Sequence, residues 1–262
     1  MTAATVPGIV ADERRLITLE AAHNVRDLGG YTMGDGRTIA WGRLLRGDGL
    51  HSLTAADIAA LLPIGLRTVI DLRTPGEIDQ RGTFPVEQVP VDLVHLSVID
   101  TTWQSADVPD FTDSEEPDVE FLAWAYRLML TEGGARFGQA MVRLTAPDAL
   151  PAIFHCAAGK DRTGMLAMLI LAGLGVSDDV ITADYGLTAA GLERMRAWME
   201  IHHPDRAERF ASAPSGFVAA RPEAVATILH ELRSAHGSIP AYLTTVGVDA
   251  ATLSRLADAL AA

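Results

Sequence analysis

The chain has 262 residues, 48% of them hydrophobic and 21% charged, with a formal net charge of −13. That length holds one large α/β domain or two small ones, with enough apolar residues for a sizeable core. The acidic balance argues against nonspecific binding to nucleic acid and against stable association with anionic membranes, since both need excess positive charge. The opening stretch MTAATVPGIVADERR lacks a basic region followed by a long apolar run, so no signal peptide is expected. Strand material is expected at 37–46, RTIAWGRLLR, after the turn-rich GGYTMGDG. A short helix follows at 53–62, with Thr54 as N-cap and Asp57 three residues on. LRTVIDL at 66–72 has the β-branched character of a buried strand, and VDLVHLSVI at 91–99 reads as a second. Between 100 and 120 there are eight acids and no basic residue, with Pro109 and Pro117, which predicts a loop or solvated flap. Helices are expected at 119–130 and 133–146, separated by Gly133 and Gly134. PAIFHC at 151–156 is a buried strand, and an apolar helix runs from 162 to 174. The apolar run at 165–176 is too short for a membrane span. From 177 onward the chain reads as helical, apart from a breaker-rich stretch at 202–218.

Strands alternating with helices predict a central, mostly parallel sheet flanked by helices, with a helical C-terminal part. In such sheets ligands bind beyond the carboxyl ends of the strands. Asp71, Asp100 and the loop after PAIFHC all fall at such ends. That loop, FHCAAGKDRTG at 154–164, holds Cys156 and Lys160, the only cysteine and the only lysine; the other twenty basic residues are arginine. A single cysteine excludes an internal disulfide and any paired-cysteine metal or redox site. It suits a reduced, cytoplasmic setting, with leaderless export left open.

Cys156 and Arg162 are separated by five residues at a strand-to-helix junction. The backbone N–H groups of Ala157, Ala158, Gly159, Lys160 and their neighbours can then converge on one tetrahedral anion, helped by the helix N-terminus. Arg162 can contact two phosphoryl oxygens at once. Anion-binding loops of this kind favour thiolate over thiol. The arrangement places a nucleophile beneath a bound phosphate, and attack gives a cysteinyl-phosphate that water cleaves. Thr163 is placed to hydrogen-bond the departing thiolate. A nucleotide-binding loop fits poorly, since the glycine it needs five residues before Gly-Lys is Phe154, and the Ser or Thr it needs after the lysine is Asp161.

HCAAGKDRTG resembles the signature of cysteine-dependent phosphatases, and in particular of the bacterial tyrosine and dual-specificity phosphatase family. NVRDLGG at 24–30, residues 44–77 and the closing GSIPAYLTTVGVDAATLSRL are similar to that family as well. The resemblance implies one phosphatase domain over 1–262, no metal and no cofactor. It also implies phosphotyrosine substrates on proteins, with tolerance for phosphoserine, phosphothreonine and phosphoinositides. In related lipid phosphatases a lysine placed like Lys160 holds extra phosphates on inositol rings. For the general acid two residues compete: Asp161, favoured by the resemblance, and Asp100, on a loop where related dual-specificity phosphatases carry theirs. Lys160 and Arg162 favour ionised Asp161, whereas a bound phosphate dianion favours its protonated form. Asn24, Arg26 and Asp27 read as turn-forming and loop-bracing. Asp71 and Arg73 either brace the loop or cap the next element; His95 reads as a core or surface histidine rather than a catalyst, and His202 and His203 carry no metal role. Residues 188–218 are expected to form a mobile helical lid. Two rivals remain: sulfur transfer on a rhodanese-like loop, and a phosphate-binding module without turnover.

Overall fold

The structure, a computed structural model, describes residues 8–100 and 108–262. Residues 101–107, part of the expected flap, and the first seven residues lie outside the described residues. Five strands form one sheet: β1 (Arg26–Asp27), β2 (Leu44–Gly47), β3 (Thr68–Asp71), β4 (Asp92–His95) and β5 (Ala152–His155). Their spatial order is β1-β2-β5-β3-β4, parallel throughout except for β1, which pairs antiparallel with β2. The alternation of side chains along each strand builds two cores. Leu44, Ile70 and Phe154 face the larger core; their neighbours Leu45, Val69 and Ile153 face the smaller one.

Twelve helices surround the sheet among the described residues. On the N-terminal side are α1 (Ala55–Leu61) and α2 (Pro75–Arg81); next come α3 (Pro117–Glu132), α4 (Gly134–Arg143) and α5 (Asp161–Gly173). The C-terminal part contributes α6 (Asp178–Gly186), α7 (Thr188–His202), α8 (Pro204–Ala211), α9 (Ser215–Val218), α10 (Pro222–His236), α11 (Ile239–Thr245) and α12 (Ala250–Leu260). Thr54 and Asp57 form the expected capping box on α1. No helix among the described residues is long and apolar enough to cross a membrane.

Three sequence expectations need correction. Residues 37–46 do not form one strand: Gly42, at φ 74°, turns the chain and its N–H donates to Asp27, so only 44–47 pairs in the sheet. The expected strand 91–99 stops at His95, because β4 is the sheet edge and the chain leaves it once Leu96 N–H has bonded Asp71 O. The breaker-rich stretch 202–218 is helical in two pieces, α8 and α9, interrupted at His203 and at 212–214, since Pro204 sits in the first turn of α8, where its missing N–H costs nothing.

The C-terminal part is tied to the sheet by a buried charge cluster. Asp184 on α6 accepts from Arg26 on β1 at 3.1 Å, from Arg46 on β2 at 2.8 Å and from the Tyr31 hydroxyl at 3.0 Å. Burial alone would raise its pKa, but Arg26, Arg46 and these hydrogen bonds outweigh burial and hold it well below the usual carboxylate range. A carboxyl depressed on folding adds stability that is present above its unfolded pKa and is lost as pH falls through the folded one. Asp184→Asn leaves two buried guanidiniums short of a counter-charge. It is expected to cost about 3–5 kcal/mol, read by urea unfolding at neutral pH; a loss under about 1 kcal/mol would show that water or repacking replaces the carboxylate.

Candidate active site

Cys156 follows β5 directly, and His155 is in register with Gly47 of β2 and Asp71 of β3. The cysteine therefore sits at the carboxyl edge of the central strands, with the loop 157–160 running from it into α5. The loop's carbonyls are held away from its interior. Ala157 O accepts from Gly49 N–H at 3.1 Å; the Asn24 amide donates to Ala158 O and Gly159 O at 3.0 and 3.1 Å; Arg46 donates to Gly159 O at 2.9 Å. Arg26 in turn donates to Asn24 Oδ1 at 2.7 Å, so NVRD and LLRG act as braces for the loop. No protein acceptor among the described residues takes the amide N–H groups of 157–163. Gly159 is required by its backbone: its φ is 65°, and an added Cβ would lie 2.8 Å from the Gly47 carbonyl and Asp48 N.

Arg162 is almost fully buried and makes a two-pronged pair with Glu77 on α2, at 2.5 and 2.9 Å. Burial would lower the arginine's pKa, but the hydrogen bonds and charge of Glu77 outweigh this and hold it above its ordinary value. Glu77 itself, which burial would raise, is pulled down to about 2 by Arg162. The sequence reading missed Glu77 as a site residue. Its signal was the TPGE turn, where Thr74 and Glu77 form a capping box that fixes the glutamate's rotamer.

Asp161, the first residue of α5, accepts from the Tyr126 hydroxyl at 2.9 Å and lies 3.3 Å from Lys160 Nζ. Tyr126 also contacts the Tyr185 hydroxyl closely, so both phenols are buried behind the aspartate. Lys160, 2% exposed, donates to Gly216 O at 3.2 Å, within α9, and to Ala219 O at 2.9 Å, just past its end. Thr163 is buried and donates to Gly47 O at 3.4 Å. A cavity of about 200 Å³ opens at this end of the loop, lined by Lys160, Asp161 and Arg162 and by Ile99, Phe121 and Phe217. Asp100 is exposed at the last described position before 101, and no hydrogen bond or ion pair holds it among the described residues. Asp71 is buried in an ion pair with Arg73, which also donates to Gly82 O at the end of α2; its link to the loop runs only through His155, 3.7 Å away. No cluster of metal-ligating side chains exists among the described residues.

Thus the structure brings Cys156, the 157–160 amides, Asp161, Arg162 and Glu77 to one edge of the sheet; Asp71 ends β3 at that same edge, paired to Arg73, and Asp100 follows Ile99 of the cavity wall. The tyrosine phosphatase family matches residues 17–262 of the chain. A putative tyrosine-protein phosphatase of Cupriavidus necator is 33% identical over 182 residues, 66% of this chain and 62% of that protein. The triple specificity protein phosphatase PtpB of Mycobacterium tuberculosis is 27% identical over 251 residues, covering 84% of this chain and 91% of its own length. A tyrosine-protein phosphatase of Nostoc commune is 30% identical over 216 residues, covering 79% of this chain and 70% of its own length. Among solved structures, Pseudomonas aeruginosa TpbA aligns over 55% of this chain and 68% of its own at 19% identity and a TM-score of 0.28. With a family match spanning nearly the whole length and including every residue of the loop, the chain belongs to the tyrosine phosphatase family.

Proposed function

We propose that the chain is a metal-independent protein-tyrosine phosphatase that works through a cysteinyl-phosphate. The observation that carries this reading is the loop itself: carbonyls braced outward, amides without protein acceptors, and Arg162 held beside Cys156 by Glu77. In the first step Cys156 Sγ forms a bond to phosphorus, and the bond from phosphorus to the ester oxygen breaks. Asp161 protonates that oxygen as it leaves. Water then attacks phosphorus, giving a proton to the Asp161 carboxylate; the P–S bond breaks, and inorganic phosphate and the thiolate are released. Charge building on the phosphoryl oxygens is met by the loop amides, the α5 N-terminus and Arg162. The apolar walls of the neighbouring cavity, Phe121 and Phe217 above all, suit the ring of phosphotyrosine.

Turnover of p-nitrophenyl phosphate in EDTA tests the reading. Sulfur transfer to cyanide would favour the rhodanese-like alternative, and tight phosphate binding without hydrolysis a binding module. The similarity to a relative named for triple specificity supports substrates beyond phosphotyrosine, and phosphoserine, phosphothreonine and phosphoinositides are the ones to try. A panel of these phosphopeptides and lipids assayed side by side decides their order.

The helices α7–α9 serve, in this proposal, as a lid, and Lys160 holds it shut until a substrate phosphate competes for the ammonium. Hydrogen bonds from a charged donor are worth about 1.5–3 kcal/mol. Lys160→Met is therefore expected to speed amide exchange across 215–220 by about tenfold or more. It should also reduce phosphoinositide hydrolysis more than hydrolysis of p-nitrophenyl phosphate. Equal losses on both substrates, together with unchanged exchange, would remove Lys160 from both roles.

A further inference from the structure

At the Ala157 end of the loop, away from the cavity beside Asp161, lies a second groove of about 260 Å³. Its walls come from the loop after β2, from α2 and from the lid helices α7 and α8. Arg81 reaches it from α2 and Arg206 from α8; the His51 imidazole lies beside them, and Met195, Trp198 and Met199 form an apolar floor.

Charge in this groove is unbalanced, in a chain whose net charge is −13. Several exposed arginines elsewhere carry a carboxylate, as Arg37 does on Asp35 and Asp258, Arg127 on Glu231 and Arg196 on Glu200. Neither Arg81 nor Arg206 has an ion pair or a side-chain hydrogen bond among the described residues. The one lining carboxylate, Asp48, is buried and accepts from the backbone N–H groups of His23 and Asn24. Glu77, nearest along α2, is committed to Arg162. The arginines act on each other across the groove: after burial, Arg206 lowers the pKa of Arg81, with the charge of Glu77 opposing it. Both also act on His51, whose pKa is pushed down to about 4 by burial first and then by Arg73, Arg81, His155 and Arg206. His51 Nδ1 and His23 Nε2 are buried ring nitrogens without partners. Like charges held together without a counter-ion are a standing cost that an incoming anion removes.

We propose that this groove is a specificity subsite for an anionic side chain, carboxylate or phosphorylated, that flanks the phosphotyrosine of a peptide substrate. The proposal rests on the phosphatase reading above. A peptide suits it better than an inositol headgroup for two reasons. The groove and the aryl cavity border opposite ends of the loop, and an extended chain advancing about 3.3–3.6 Å per residue spans such a gap, whereas the phosphates of one ring are confined to one cavity. The Trp198 and methionine floor also has a use for the aliphatic or aromatic stem of a side chain, and none for a hydroxylated ring.

The test compares two phosphotyrosine peptides, one with alanine and one with glutamate at the flanking positions, and p-nitrophenyl phosphate. The wild-type chain is expected to favour the glutamate peptide about five- to tenfold in kcat/KM, with the preference shrinking as salt rises. The double variant R81Q/R206Q should erase the preference and keep p-nitrophenyl phosphate turnover within about twofold. Arg209→Gln, exposed on the same helix but outside the groove, should leave it intact. In the peptide complex, the His51 titration midpoint should rise, followed by NMR. Equal kcat/KM on the two peptides in the wild type overturns the proposal, as does a preference that survives in the double variant. So does a double variant that loses only phosphatidylinositol bisphosphate hydrolysis, which would make the groove a headgroup site. If p-nitrophenyl phosphate is not turned over at all, the phosphatase reading fails. The uncleaved peptides are then compared by affinity, and equal affinities for the wild type overturn the subsite on its own terms.

Discussion

Cys156→Ser is expected to lower turnover of p-nitrophenyl phosphate by at least about 10⁴-fold while phosphate binding changes little. The two halves of this expectation come from different parts of the loop. Holding the anion depends on the amides of 157–163, on Arg162 and on the start of α5, and a serine hydroxyl disturbs none of them. Bond formation to phosphorus depends on Sγ alone. A serine hydroxyl at neutral pH is a poor nucleophile without an adjacent base, whereas a thiolate needs none. Turnover and calorimetric phosphate binding, measured on the same preparation, separate the two. Activity within tenfold of wild type would sink the cysteinyl-phosphate. A variant that loses binding along with activity would show that Sγ, rather than the amides, shapes the cradle.

The second large effect concerns the proton. Asp161→Asn is expected to slow hydrolysis of an alkyl phosphate by roughly 10²–10⁴, with a far smaller loss on p-nitrophenyl phosphate, whose leaving group needs little protonation. It should also remove the basic limb of the pH profile on the alkyl substrate. The geometry favours Asp161 over Asp100, because the Tyr126 hydroxyl fixes one carboxyl oxygen at 2.9 Å and the residue lines the aryl cavity. Asp100 has no such anchor. Asp100→Asn is the matched control. If it alone shows the leaving-group dependence, the acid belongs to the acidic flap and Asp161 serves to brace the loop through Tyr126.

Local patterns in the sequence were legible where one element carries its own signal. TVID and AIFH are apolar and β-branched or aromatic, and both are buried strands. Thr54 and Asp57 cap α1 as their spacing predicts. The same cap-and-acid pattern stands in TPGE with Pro75 in the first turn, yet α2 is hidden there behind the strand signal of the residues before it. β1 has two residues and becomes a strand only because Arg26 and Asp27 meet Arg46 and Leu45. In the site, the 154–164 loop was readable because it is contiguous. Glu77 was not, since its partner is 85 residues along the chain, and nothing near Arg162 announces it. Lys160 drew notice as the single lysine, but its carbonyl partners, within and just after α9, lie 56 and 59 residues away.

That lysine has a practical consequence. Its side chain is the one lysine amine in the sequence, and it is enclosed. An ammonium donating to two carbonyls has no lone pair to offer an acylating reagent. Succinimidyl esters should therefore modify Lys160 only during excursions that expose it. The rate at which the mass increment at this side chain appears then clocks those excursions, in native protein, with neither mutation nor isotope.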